Sequence, residues 1–481
     1  MREWMQKLPA SWPYVASIAL TKGFSLLTIP LLANVMAQED YGRLDVVVSF
    51  MEFLGLVFAM GLADTLFRFA SIEENGHARR QVAAEIIGTG VLLALLLGVV
   101  VQLAVPLFLR VMPLEFGEGA IRAGFLAATV SGLIALPLAW LRLQGRPFNF
   151  LLFTAARGLF LAVSTIVVAL CGLGVEAILY SNAAVDALIA LAILVSMVRE
   201  TGISFRLAAF RRTVTYGLPL VGGSLAMFAL GACDRWFLVA SVPAAALAYY
   251  AVATKLALAA PLLMQPFSLW WLAQRIVILE REDGLAESAR HVGAGFAILI
   301  TSAVAITLAG PLFIHWTMPA DYLRATDYLP FLVAVMVLNE TNTLVNVGVY
   351  RRSHSFLVLM INATAALVAL AGYALLIPAH GISAAIGVTL FAQTIRFGLF
   401  LFFGRKAAPI SYPFRNAAIL AGFAVLIVYA APAPPHDGAL LLFIMIALPC
   451  LLGAAHMLGL IALPIAEGKR VLPRLAARVQ P

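Results

Sequence analysis

Between positions 14 and 463 the chain reads as a succession of about fourteen mostly apolar stretches, most of them near or above the roughly 20 residues a helix needs to cross a bilayer core. They cover, approximately, 14–36, 44–67, 84–109, 123–141, 149–171, 175–197, 215–238, 245–272, 292–314, 327–349, 355–377, 381–404, 416–432 and 439–463, and are called spans 1 to 14 here. The connections between them are too short to bury a core of their own. A one-span receptor and a membrane-anchored soluble enzyme are thereby excluded. Composition agrees, with 63% apolar and 12% charged residues against roughly half and a quarter in a soluble protein. Runs such as Val91 to Leu109 are near-continuously apolar, unlike the short alternating strands of a membrane β-barrel. The expected fold is an all-α polytopic membrane protein with about 14 transmembrane helices.

A net charge of +8 would in a soluble protein raise the question of nucleic acid, but the positions of the charges argue otherwise. Assigning loops to alternating sides puts 23 of the 32 Lys and Arg residues on the side of both termini and four (Arg43, Arg110, Arg122 and Arg324) on the other, with five inside spans. The majority includes Arg2, Lys7, Arg275, Arg352, Lys469, Arg470, Arg474 and Arg478. By the positive-inside rule both termini are cytoplasmic, and no nucleic-acid partner is expected. Adding or dropping one span would flip every later loop and scatter this bias. The first apolar stretch is too long for a cleavable signal and lacks a small-residue cleavage site. Cys171, Cys233 and Cys450 fall in spans and are expected to be small buried residues rather than disulfide partners. The seven His residues show no metal-ligand spacing, and the sequon matches at Asn339 and Asn362 fall in spans, where chance explains them.

Three landmarks recur at a near-constant offset of about 207: Tyr41-Gly42 with Tyr249-Tyr250, Gly174-Val175 with Gly381-Ile382, and Phe150 with Phe356. The spacing implies two six-helix lobes of one orientation, residues 1–205 and 206–407, with spans 13 and 14 and a tail appended over 408–481. Parallel repeats of this kind occur among transporters, which bind substrate between the repeats.

Charges at mid-bilayer are costly and usually face a cavity or a partner. Five cations lie inside spans: Lys22 (span 1), Arg157 (span 5), Arg235 (span 7), Lys255 (span 8) and Arg396 (span 12). Ser17, Thr21, Ser25 and Thr28 flank Lys22 at helical spacing, Thr154 and Ser164 share a face with Arg157, and Thr389 and Gln393 share one with Arg396. Lys22, Lys255, Arg157 and Arg396 are the candidate lining of a cationic cavity for an anionic substrate; each could instead be paired or snorkel to an interface. Arg235, beside Asp234 near the outer end of span 7, is expected to snorkel or pair. Glu52 and Asp45, on one face of span 2 with Ser49, and Asp186 and Asp234 are candidates for ion coupling or for neutralising a cation. Pro30, Pro137, Pro219, Pro261 and Pro266 mark kinks or hinges. No phosphate-binding GxxxxGK[ST] loop, Ser-His-Asp set or metal cluster is present in the sequence, so neither catalytic residues nor a resident cofactor is expected.

The passages Pro30…Glu39-Asp40-Tyr41-Gly42, Gly61-Leu62-Ala63-Asp64-Thr65-Leu66-Phe67-Arg68 and Tyr216-Gly217-Leu218-Pro219…Cys233-Asp234-Arg235-Trp236-Phe237 resemble, in matching order over most of the chain, the polysaccharide transporter family of the multidrug/oligosaccharidyl-lipid/polysaccharide (MOP) flippase superfamily. The resemblance implies two lobes around a central V-shaped cavity that alternates between inward-open and outward-open states. It implies a bacterial inner-membrane protein moving an undecaprenyl-diphosphate-linked oligosaccharide between leaflets for O-antigen or exopolysaccharide synthesis, with membrane lipids, a glycan polymerase and export machinery as partners. Na+ or H+ is the implied coupling ion. In related lipid flippases basic residues of helices 1, 2 and 8 bind the diphosphate; Lys22 and Lys255 match helices 1 and 8, whereas span 2 offers Asp45 and Glu52. Two other readings are a cation-coupled multidrug antiporter of the same superfamily, which predicts a carboxylate-dominated cavity, and a membrane glycan polymerase, which calls for a sizeable periplasmic loop; the longest here, around 110–122, is about a dozen residues.

Overall fold

The computed structural model describes residues 12–59, 61–111, 118–351, 355–432 and 436–461, and all their regular elements are helical. The terminal cations Arg2, Lys7, Lys469, Arg470, Arg474 and Arg478, the loop cation Arg352 and much of the 110–122 loop lie outside the described residues.

The helices are α1 (Trp12–Val35), α2 (Gln38–Ala59), α3 (Leu62–Ala70), α4 (Gly76–Val111), α5 (Glu118–Leu143), α6 (Pro147–Leu170), α7 (Gly174–Thr201), α8 (Leu207–Gly231), α9 (Asp234–Leu238), α10 (Ala244–Ala257), α11 (Ala259–Leu279), α12 (Gly284–Thr317), α13 (Leu329–Val345), α14 (Val347–Tyr350), α15 (Ser355–Ala407), α16 (Phe414–Ala430) and α17 (Asp437–Met457), with a 3-10 turn at Ala320–Asp327. Among the described residues twelve helical runs are long and apolar enough to cross a membrane, against the fourteen expected. Two features account for the difference. Phe356–Ala407 is one run of 52 residues that Gly381, at φ +57°, interrupts with a non-helical residue. Phe414–Ala430 is apolar but shorter than the rest.

Local chemistry explains the breaks. Gly61 sits at φ +61° between α2 and α3, a left-handed conformation that costs other residues energy. Pro261 lacks the N–H that would bond the Ala257 carbonyl, and its ring crowds that carbonyl; α10 accordingly ends at Ala257 and α11 starts at Ala259.

Packing divides the chain into two compact units. The first comprises Met1–Leu256, Phe313–Val335 and Ser355–Arg396; the second comprises Ala257–Leu312, Met336–His354 and Phe397–Pro481. In the first, α1 packs on α6, α6 on α7, α7 on α5, and α5 on α2 and α4. One of its cores joins Leu62, Leu66, Ile86, Ile87, Trp140 and Met197. In the second, α12 is cored against α16 and α17 through Val304, Leu308, Leu420, Leu440 and Leu451. Both units expose large apolar side chains such as Leu103, Leu375 and Met445, as helices facing lipid do. Cys233 is buried, but Cys171 and Cys450 are exposed, correcting the expectation of three buried thiols: a span residue can face lipid as well as core.

Candidate functional site

The site grows from one close helix approach inside the first unit. A Cβ on Gly42 of α2 would lie 2.9 Å from the Ala248 backbone nitrogen and 2.9 Å from the Leu247 Cβ of α10. Only a residue without a side chain lets these helices meet so closely. One turn along α2, Asp45 reaches the cations opposite. Its Oδ1 is 3.0 Å from Lys255 Nζ on α10 and its Oδ2 accepts a 2.7 Å bond from Arg235 Nε on α9. Lys255 also donates to the Tyr41 hydroxyl at 3.1 Å and lies 4.8 Å from the centre of that ring. Arg235 packs near Asp234, at 3.8 Å, whose carboxylate caps the Arg235 backbone N–H at 2.9 Å and accepts a hydrogen bond from Tyr250. Asp45, Asp234 and Arg235 are all buried.

Aromatic side chains wall the cluster. Tyr322 of the 3-10 turn is fully buried, with ring centres 6.4 Å from Tyr41 and 5.7 Å from Tyr249; burial pushes its phenol up from the ordinary value, so it stays neutral. Gln38 ties this wall to both neighbours, accepting from Tyr249 at 2.6 Å and donating to Asp321 at 3.2 Å. On the other flank Trp236 donates to Ser49 at 3.2 Å and packs on Phe50, Phe53 and Phe228. Two charged groups remain open. Lys22 and Glu52 are exposed, and Glu52 lies within electrostatic reach of Arg235, Asp45, Lys22 and Lys255.

The sequence-expected cations therefore have different fates. Lys255 joins Asp45, with 31% of its side chain exposed. Arg235 does not snorkel; it is clamped between Asp45 and Asp234. Arg157 makes a two-pronged pair with Asp186 at 2.7 and 3.0 Å and donates to Ser131 at 3.0 Å. Next to this pair, Ser164 and Thr165 both donate to Asn182. Arg396 is buried and donates to Asn362 at 2.8 Å and to Gln393 at 3.2 Å, giving one of the chance sequon asparagines a structural partner. Thus the structure joins Lys255, Asp45, Asp234 and Arg235, with Lys22 and Glu52 in the same field, while Arg157–Asp186 and Arg396 form separate networks.

Sequence reasoning missed Tyr41, Gly42 and Tyr250 as site residues, although Tyr41-Gly42 and Tyr249-Tyr250 stood out as repeat landmarks. It also placed Arg275 in a loop, whereas the structure buries it within α11. Among the described residues no group of His, Cys, Asp and Glu could hold a metal ion.

Residues 12–269 match the family described as "Polysaccharide biosynthesis protein". The chain belongs to that family. No curated protein matches it by sequence, but solved structures share its fold. It superposes on the lipid II flippase MurJ in an inward closed conformation with a TM-score of 0.73, at 12% identity, covering 92% of this chain and 97% of that one. An inward-facing multidrug resistance MATE family transporter of the MOP superfamily gives 0.57 at 15% identity, over 82% and 95%. The MATE multidrug transporter DinF-BH gives 0.56 at 12%, over 82% and 93%. This member of the polysaccharide biosynthesis family thus has the MurJ/MATE fold, and these neighbours are transporters and flippases, not enzymes.

Proposed function

We propose that the protein is a flippase that carries an undecaprenyl-diphosphate-linked oligosaccharide from the cytoplasmic to the periplasmic leaflet by alternating access, serving O-antigen or exopolysaccharide assembly in the bacterial inner membrane. Family membership and the MurJ fold support this reading. The observation that carries it is the state of Lys255: a partly exposed cation inside a membrane helix, held by one carboxylate and one phenol. A sugar diphosphate cannot cross hydrocarbon unaided, because each hydroxyl and charge would lose its water partners. A diphosphate arriving near Lys22 would compete with Asp45 for Lys255, since phosphate oxygens form charge-assisted bonds of the same kind. Asp45 would then remain with Arg235 alone, loosening the contact between α2 and α10. Glu52, exposed within the same field, is the proposed coupling carboxylate for Na+ or H+. Both termini are taken as cytoplasmic from the charge bias, and a glycan polymerase and export machinery are the proposed partners.

The test is a strain making a lipid-linked glycan. Deleting the protein should cause lipid-linked units to build up on the cytoplasmic face and periplasmic assembly to stop. Lys22→Ala and Lys255→Ala should abolish transport at unchanged protein level, with Lys→Arg partly tolerated. Intact assembly in the deletion strain, or wild-type transport by both Ala variants, sinks the proposal.

A further inference from the structure

In the first unit α1 and α6 touch and then leave a gap. They meet where a Cβ on Gly158 of α6 would lie 3.3 Å from the Phe24 ring and 3.5 Å from Thr21 Cα. One turn further along α6 comes Ala162, whose methyl group does not fill the space, and α1 contributes Pro30, which lacks the N–H of a regular helical bond. The result is a groove of about 580 Å³. Phe24, Leu27 and Leu31 line it from α1 and Leu159, Val163 and Ile166 from α6. Its polar lining is Asn34 and Thr317. The Asn34 amide donates to the Thr317 carbonyl at 2.7 Å, bridging α1 to the end of α12 at the far end of the groove.

Only an apolar chain suits such a lining. Leu27, Leu31, Leu159 and Val163 are exposed within membrane-spanning helices, where hydrocarbon and not water is the solvent. The volume takes on the order of twenty methylene-sized groups, at roughly the 30 Å³ that a water occupies.

Depth decides whose chain it is. Trp12 and Tyr14 pack edge-on against Phe148 and Phe150 at one end of these helices, as aromatic side chains do at a membrane interface. Phe24 lies about 18 Å further along α1 than Trp12, past the middle of a hydrocarbon core of about 30 Å. A bilayer phospholipid with its head among those aromatics brings only its chain tips to the groove, and one from the opposite leaflet meets the Asn34–Thr317 bridge. Lys22 changes the depth at which a chain can begin. It is exposed just before Phe24, so a lipid whose anionic head it draws inward starts its chain where the groove starts. Lys22 and Leu27 are about 140° apart around α1, and the exposed Ala19 on the arc between them presents only a methyl group to a chain passing round the helix.

We infer that the α1–α6 groove binds the isoprenoid chain of the lipid-linked substrate while its charged head is held at Lys22. The identity of the lipid rests on the flippase reading above.

The experiment places the full chain in phosphatidylethanolamine and phosphatidylglycerol vesicles containing undecaprenyl phosphate as a minor component, and reads photocrosslinks by mass spectrometry. With p-benzoylphenylalanine in place of Leu31, the prenyl chain should be captured far above its share of the bilayer. The same photoreactive residue in place of Leu152, which is exposed on α6 outside the groove, should capture lipids in proportion to their abundance. Ala162→Phe puts a ring in the groove. It should raise the undecaprenyl phosphate needed for half-maximal capture at position 31 about ten-fold, as displacing roughly two methylene contacts would. Phospholipid capture at position 31 in proportion to the bilayer, or capture indifferent to Ala162→Phe, overturns the groove. Capture is read without transport, so the two readings fail separately. Selective prenyl capture with intact assembly in the deletion strain would sink the flippase reading alone; proportional capture with assembly blocked would sink the groove alone.

Discussion

Arg235 and Arg275 are both buried arginines, yet their surroundings are opposite. Arg235 lies between Asp45 and Asp234, and its cluster is charge-balanced once Lys255 is counted. Arg275 meets an amide, a phenol ring and an unfilled donor position. A buried guanidinium is costly unless ion pairing or hydrogen bonds offset its desolvation. In the first case that partner is contributed by a helix distant in sequence, so the charge can fasten helices to one another. In the second the described partners, Asn346 and Tyr350, are neutral, so the contact rests on hydrogen bonding and ring packing.

The most severe break in this comparison is Asp45→Ala. It leaves Arg235 buried beside Asp234 without its ion-pair partner at 2.7 Å and frees the partly exposed Lys255, and should destabilise the protein by about 3–5 kcal/mol and abolish transport. Asp45→Ala with Arg235→Met should recover much of the stability, because an apolar replacement of similar volume removes the orphaned charge. Thermal melts of the two variants decide it. A double variant no more stable than Asp45→Ala would mean that the carboxylate matters for packing, not charge.

Periodicity made part of this cluster legible. Asp45, Ser49 and Glu52 fall on one helical face from spacing alone, and Asp234-Arg235 are adjacent in sequence. Their joining was not legible, because Asp45 and Arg235 are 190 residues apart and one sequence holds no record of which distant faces meet. Arg157 and Asp186 show the same limit, each singled out but neither assigned to the other. Arg275 was missed for another reason. Hydropathy falls after position 272, where the apolar span ends, but Gln274 and Arg275 are good helix formers, and α11 runs on to Leu279. Loss of apolar character marks the edge of the hydrocarbon, whereas a helix ends where its hydrogen bonding ends. The fold class needed no such contacts, since spans of this length and apolarity leave few other architectures.

A smaller effect is expected at the contact that makes the cluster possible. Gly42→Ala adds one methyl group against the α10 backbone, an overpacking that should cost about 1–3 kcal/mol and move Asp45 away from Lys255. Transport should fall along with Tm. Gly23→Ala, a substitution in α1 with nothing within 4 Å of the added Cβ, is the control and should be as stable as wild type or more so. Equal losses in the two variants would show that α2 and α10 do not depend on close approach.

The smallest effect tests whether burial or ion pairing itself separates these regions. Arg122 and Glu118 form a 2.6 Å pair at i, i+4 on α5, with side chains 40% and 53% exposed. The pair is as short as the ion pairs of the buried cluster, and Arg122 also donates to the Gln102 carbonyl at 2.9 Å, so it keeps a partner when the carboxylate is removed. Exposed pairs of this kind contribute about 0.2–1 kcal/mol and weaken with salt. Glu118→Gln should therefore shift Tm by no more than a degree or two, less still at high salt, and leave transport intact. A loss comparable to that of Asp45→Ala would mean that pairing, wherever it occurs, holds these helices together; the expected near-silence assigns the cost in the cluster to desolvated charge.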